Sequence, residues 1–260
     1  MANLAGITQR LRIVLSALTR ASAQLPIPIQ DSTYYDAVRV GGDGAGVAVA
    51  CADLFNVLDP CLPDGVVSKP SSLHRFSHLC RDRSADKNAC EPDVGRLLYQ
   101  LVRLIRPACA IEVGVYKGAA SCHIAQALKE NAMKTQLHLV DISEAFLDIT
   151  RRQLQAFGLD DYAVFHCADA ADITDREELP QAEFIFLDAQ NSEKSVERYL
   201  NNFLPLVKPG GFLLLHNTIL WNGARTNANR LTLDMPGAVL TLATSGGSGI
   251  SVVRKGGSVA

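Results

Sequence analysis

Hydrophobic positions change rhythm along this chain. From residue 92 onward, Val94, Leu97, Leu98, Leu101, Val102 and Ile105 recur at helical spacing and predict a helix over residues 92–105. Short, wholly apolar runs then alternate with amphipathic stretches. Residues 109–113, 137–140, 163–167, 184–187 and 212–215 read as strands, with helices over 119–130, 145–157 and 194–207. Strands that are apolar along their whole length need cover on both faces, so the alternation predicts an α/β domain built on a parallel sheet. Residues 238–244 and 249–254, joined through Ser245-Gly246-Gly247-Ser248, read as a hairpin, which makes the last strand antiparallel.

The first 90 residues follow no such alternation. Leu4, Ile7, Leu11, Val14, Leu15 and Leu18 predict an amphipathic helix over 4–20, packed on the protein's own core or forming a homodimer seam. Pro26 and Pro28 break the chain. Gly41-Gly42-Asp43-Gly44-Ala45-Gly46 has neither a strand before it nor Lys-Ser/Thr after it, so it reads as a turn leading into a helix over 47–58 rather than a phosphate loop. His74 and His78 are four apart and would share a helix face, the spacing of two metal ligands. No Glu follows the first of them, and Cys80 alone does not complete a site, so they read as surface or pocket-lining histidines. The expected organisation is a helical cap over 1–90, serving substrate or dimerisation, and a sheet domain over 91–260.

Composition narrows the classes. A 260-residue chain with 48% hydrophobic and 20% charged residues can bury a large core, which excludes disorder. A net charge of −2 provides no field for nucleic acid or an anionic membrane, and no apolar run approaches the ~20 residues of a membrane span. The seven cysteines form no C-x-x-C pair and read as small, reduced hydrophobes. Arg10, Arg12 and Arg20 interrupt the apolar N-terminus where a signal peptide would need an unbroken run, so the expected location is cytoplasmic.

Ligands of open α/β sheets bind beyond the carboxyl ends of the strands. The residues there are Glu112 and Gly114, Asp141, Asp169, Asp188, and His216 with Asn217. Asp is a poor strand residue, and one such acid is often only a helix cap. Several in register predict a site. In Ile111-Glu112-Val113-Gly114-Val115-Tyr116-Lys117-Gly118 the glycines permit a tight turn and close approach of a ligand. The pattern is E-x-G-x-x-x-G, not the G-x-G-x-x-G of nicotinamide or flavin folds. An acid beside the turn repels a pyrophosphate but suits an ammonium group, and Asp141 at the next strand end can accept from ribose hydroxyls. A ribose with an amino-acid tail and no phosphate describes S-adenosylmethionine.

These motifs resemble the class I S-adenosylmethionine-dependent methyltransferases, specifically the catechol/caffeoyl-CoA O-methyltransferase-like family, over roughly residues 91–255. Besides the loop at 111–118, the resemblance rests on Glu91-Pro92-Asp93-Val94-Gly95-Arg96-Leu97-Leu98, Phe186-Leu187-Asp188-Ala189, Leu206-Val207-Lys208-Pro209-Gly210-Gly211 and His216-Asn217-Thr218-Ile219-Leu220-Trp221-Asn222-Gly223. It implies a Rossmann-like, seven-stranded, mostly parallel sheet with an antiparallel C-terminal hairpin. It also implies cofactor contacts at Glu112, Gly114, Tyr116, Gly118, Asp141, Asp169, Ala170 and Asp188. Where the family has a serine for the methionine carboxylate, this chain has Ala120, followed by Ser121.

The resemblance implies a divalent metal on Asp188, His216 and Asn217, but one family carboxylate is replaced by an imidazole. That change disfavours Mg and suits Zn, Fe or Mn better. The lysine the family uses as base is replaced by Asn191, and Lys194 lies one helical turn on. Two mechanisms follow: metal chelation of the acceptor, or His216 acting as base beside Asp188. The expected activity is methyl transfer to a hydroxyl of a small-molecule acceptor, in the manner of secondary metabolism, with Tyr34, Tyr35, Phe76, His74, His78 and Trp221 as pocket candidates. A non-catalytic cofactor-binding relative acting as a partner or regulator is the alternative, and a nicotinamide dehydrogenase is opposed by Glu112.

Overall fold

The computed structural model describes residues 49–50, 55, 58, 62, 73–80, 88–173, 179–235 and 239–256. In chain order the elements are β1 (Val49–Ala50), α1 (Pro92–Ile105), β2 (Cys109–Val113), α2 (Ala119–Glu130), β3 (Gln136–Asp141), α3 (Glu144–Phe157), β4 (Ala163–Cys167), β5 (Ala182–Leu187), α4 (Glu193–Phe203), β6 (Val207–His216), α5 (Asn222–Asp234), β7 (Val239–Ala243) and β8 (Ile250–Arg254). The helices begin where local chemistry starts them. Pro92 opens α1, Ser143 caps α3 by accepting from Phe146 N, and Ser192 caps α4 by accepting from Ser195 N.

The sheet runs β1-β7-β8-β6-β5-β2-β3-β4. Strand β2 pairs in parallel with β3 on one side and β5 on the other, while β8 is antiparallel to both β6 and β7. The seven expected strands and the closing hairpin are therefore present, and the two-residue β1 adds a parallel edge beside β7. After β4 the chain returns to the far side of β2. The carboxyl ends of β2 and β5 thus flank a switch point, where such sheets open a crevice.

Side chains alternate between two cores. Ala110, Leu139, Phe186 and Leu214 pack with α1, α2 and α3, together with Phe55, Leu58 and Phe76 from the earlier chain. Ile111, Val113, Leu187 and Leu215 pack on the other face with α4 and α5. Among the described residues, no helix is long and apolar enough to cross a membrane.

Four expectations change. Val49-Ala50 is strand rather than helix, pairing in parallel with Leu242 and Ala243 of β7, although residues 55 and 58 are helical. Residues 77–79 form a 3₁₀ turn in place of a shared helix face, and His74 and His78 are both exposed, the surface alternative of the two expected. Strand β6 starts at Val207 and takes in the Lys208-Pro209-Gly210-Gly211 segment, with a register irregularity against β5. Helix α5 has no counterpart in the apolar pattern, since its buried apolar side is only Ala224, Ala228 and Leu231. All five described cysteines are free, four of them buried and Cys167 exposed. The expected helix over 4–20, the glycine turn at 41–46, Tyr34 and Tyr35 lie outside the described residues.

Candidate active site

The glycine turn after β2 is locked from three sides. Gly114 donates its N–H to Val140 O at 2.9 Å and adopts φ +84°. A Cβ placed there would stand 2.3 Å from the carbonyl oxygen of Asp188. Asp141 holds the next two residues, its Oδ2 accepting from Val115 N at 2.8 Å and Tyr116 N at 3.1 Å, while its Oδ1 accepts from Ser143 N at 2.9 Å. Tyr116 is itself left-handed at φ +49°, and its ring meets Phe146 edge-on at 4.7 Å. One carboxylate thereby fixes both the turn and the start of the following helix.

A cavity of about 790 Å³ opens above this turn, within the range of small-molecule sites. Eight of the ten residues expected from the sequence line it: Gly114, Tyr116, Asp141, Asp169, Ala170, Asp188, His216 and Asn217. Trp221 and Asn191 also line it, whereas Phe76 is buried in the core. Gly118 does not reach the cavity wall; its open side faces Thr150 of α3 at 2.9 Å, and it serves as the left-handed N-cap of α2.

Glu112 is also absent from the wall. Strand alternation turns it to the α2 face, where it is wholly buried and neither carboxylate oxygen has a hydrogen-bond partner. Burial pushes its carboxyl well above the usual carboxylate range. The Ser121 hydroxyl beside it pulls the other way, and the charges of Asp188 and Asp141 push it further up. The carboxylates that face the cavity are Asp141, Asp169 and Asp188 instead.

At the ends of β5 and β6 lies a linear array. His216 Nε2 is 2.9 Å from Glu91 Oε2, and its Nδ1 lies 2.9 Å from Asp188 Oδ1, at ion-pair distance but without hydrogen-bond alignment. Asn217 adds a donor from Nδ2 to the same Asp188 oxygen at 2.9 Å, from a left-handed backbone at φ +65°. Burial alone would lower the imidazole's pKa, but the nearby charges of Asp188 and Glu91, with the hydrogen bond to Glu91, outweigh it and raise it to about 10. Burial likewise opposes ionisation of Glu91, yet His216 and Ser248 take its pKa down to about 2. At neutral pH this is an imidazolium between two carboxylates.

The sign of the resulting pH dependence follows. His216 contributes fully below its unfolded value of 6.5 and loses its contribution as pH rises through about 10. Glu91 contributes above 4.5 and loses its contribution as pH falls towards about 2. Thermal melts are therefore expected to show the wild-type midpoint falling more steeply between pH 6.5 and 10 than that of His216→Gln. Parallel curves would show the array to be uncoupled from stability.

Sequence reasoning passed over Glu91 as a site residue, although an acid just before the first helical proline was visible. It also missed Ile142, Phe146, Tyr199 and Ser248, which line the cavity. Their signals are weak, because only the sheet order brings them together.

Residues 111–218 match the family described as a methyltransferase domain. A caffeoyl-CoA O-methyltransferase of Populus kitakamiensis is 32% identical over 135 residues, covering 50% of this chain and 55% of the relative. Caffeoyl-CoA O-methyltransferase 2 of Zea mays is 26% identical over 164 residues, covering 60% and 59%. The chain thus spans a little over half the length of the curated relatives it matches. Among solved structures, the O-methyltransferase TomG from Streptomyces achromogenes, in complex with SAM, superposes with a TM-score of 0.57 at 21% identity over 72% of this chain and 90% of that one. An SAH-bound O-methyltransferase from Bacillus cereus gives 0.54 at 21% identity, covering 74% and 94%. These likenesses establish the fold.

Proposed function

We propose, because residues 111–218 match the family described as a methyltransferase domain, that the chain is an S-adenosylmethionine-dependent O-methyltransferase acting on a small molecule. The observation that carries this reading is the cavity at the sheet's switch point, floored by a glycine turn with no room for a side chain and walled by Asp141. The residues fit the cofactor. Gly114, Tyr116, Asp141, Asp169 and Ala170 would hold it, and the orphaned carboxyl of Glu112 lies beneath the same turn. The cofactor supplies a sulfonium methyl group for in-line displacement. The relatives named as caffeoyl-CoA O-methyltransferases support a hydroxyl-bearing acceptor, and the exposed Leu220 and Trp221 offer it an apolar wall.

The donor set does not fit a divalent cation. Both ring nitrogens of His216 face carboxylates, Asn217 presents its amide N–H₂ to Asp188, and no cluster of three His, Cys, Asp or Glu suited to a metal occurs among the described residues. With both ring nitrogens against carboxylates, neither is left free in this arrangement. His216 is then neither ligand nor base in this arrangement. Asp188, the one member of the array's carboxylates on the cavity wall, would accept the proton of the acceptor hydroxyl.

The test is S-adenosylhomocysteine release with a panel of phenols, catechols and hydroxy acids. Product with at least one acceptor is expected; binding of the cofactor that saturates without product would establish a non-catalytic relative instead. With the best acceptor, EDTA-treated protein is expected to turn over within about twofold of untreated protein. Restoration of activity by added Mg, Mn, Zn or Fe would reverse the metal-free reading.

A further inference from the structure

Glu91 sits outside the cavity, and its two carboxylate oxygens do different work. Oε2 takes His216 Nε2. Oε1 takes Thr244 Oγ1 at 3.0 Å and Ser248 N at 3.4 Å, from the turn between β7 and β8. That turn reaches back to the site, because Ser248 O accepts from Ile219 N and Leu220 N, and Gly249 O from Thr218 N. The fit is close: a Cβ on Gly246 would stand 2.5 Å from Glu91 Oε1. One residue, 1% exposed, therefore joins the start of α1, the hairpin turn and the imidazole that abuts Asp188.

We propose that Glu91 is a positioning residue for methyl transfer, anchoring Nε2 of His216 so that its Nδ1 stays at ion-pair distance from Asp188. The inference rests on the methyl-transfer reading above. Its logic is geometric. Asp188, which lines the cavity, is fixed at Oδ1 by Asn217 and abutted there by His216. Without an anchor on Nε2, only the unaligned ion pair with Asp188 holds the imidazole in place. Neighbouring Asp93 supplies the control. It binds the same hairpin turn through Ser245 N and Ser245 Oγ, both at 2.7 Å, but touches neither His216 nor Asp188 in the described contacts.

Glutamine at 91 keeps the size but has one acceptor oxygen for two tasks, so serving the turn puts an N–H₂ against His216. Glu91→Gln is expected to lose at least tenfold in kcat while its cofactor affinity, by calorimetry, stays within about twofold of wild type. Asp93→Asn is expected to keep kcat within about twofold even where its melting temperature falls as far as that of Glu91→Gln. In NMR of ¹⁵N-labelled protein, the His216 ring N–H facing Glu91 should give a slowly exchanging signal in wild type that is lost in Glu91→Gln. Equal kcat in wild type and Glu91→Gln, equal losses in both variants, or no such ring signal in wild type would overturn the proposal. A wild-type protein that releases no S-adenosylhomocysteine overturns the methyl-transfer reading instead, and the NMR comparison still decides whether Glu91 holds His216.

Discussion

Gly114→Ala is expected to yield no folded protein able to bind the cofactor. Two penalties coincide at this position. The backbone at φ +84° costs an L-residue roughly 1–2 kcal/mol before any contact is considered. The added methyl would then lie 2.3 Å from Asp188 O and 2.8 Å from Ala189 Cα, atoms of a backbone rather than a movable side chain. Relief requires separating the ends of β2 and β5, which are tied by Asp188 N donating to Val113 O at 2.8 Å. Overpacking of this kind adds roughly 1–3 kcal/mol or more, against a total stability of about 5–15 kcal/mol. Soluble yield, thermal melting and calorimetry with S-adenosylhomocysteine measure it. A variant that melts like wild type and binds with undiminished heat would mean that the turn does not pack as described.

The same turn shows how far the sequence could be read. Strand runs ending in Glu112, Asp141, Asp188 and His216 were legible because a fully buried strand has a composition of its own, and an acid at its end is conspicuous. The position of the crevice followed from topology, since alternating strands and helices permit few sheet orders. What was not legible was the direction of individual side chains at the rim. Glu112 and Gly114 are two residues apart, yet the pleat buries the first under α2 while the turn opens the second to the cavity. Glu112 is therefore not placed to grip an ammonium group in the cavity, whose wall carries the half-buried Asp141, Asp169 and Asp188 instead. His216 is a second instance. Its type and place at a strand end suggested a base or a ligand, and both roles assume a free nitrogen. The partner that alters this, Glu91, lies 125 residues away in sequence. A helix of mostly polar residues, α5, escaped for a related reason: its burial comes from small residues packing closely, which leaves no strong apolar stripe.

Asp141→Ala is expected to separate the two tasks that this carboxylate performs. In the folded chain it accepts from Val115 N, Tyr116 N and Ser143 N, so the loop over the cavity and the first turn of α3 share one anchor. Hydrogen bonds to a charged group are worth roughly 1.5–3 kcal/mol each, and these are partly exposed, so a total loss of about 2–4 kcal/mol is expected in denaturant melts. If the carboxylate also receives a ribose hydroxyl, cofactor affinity should fall by more than the destabilisation explains, at least tenfold in folded protein at low temperature. Asp141→Asn refines the comparison. Its remaining oxygen can serve Val115 and Tyr116 while its N–H₂ confronts Ser143 N, so the loop is restored at the expense of the α3 cap. Affinity close to wild type in Asp141→Asn, with a lowered melting temperature, would place the binding effect in the loop. Affinity lost equally in both variants would place it in the ribose contact. Wild-type affinity in folded Asp141→Ala would remove Asp141 from the cofactor site altogether, and the cavity's polar wall would then rest on Asp169 and Asp188.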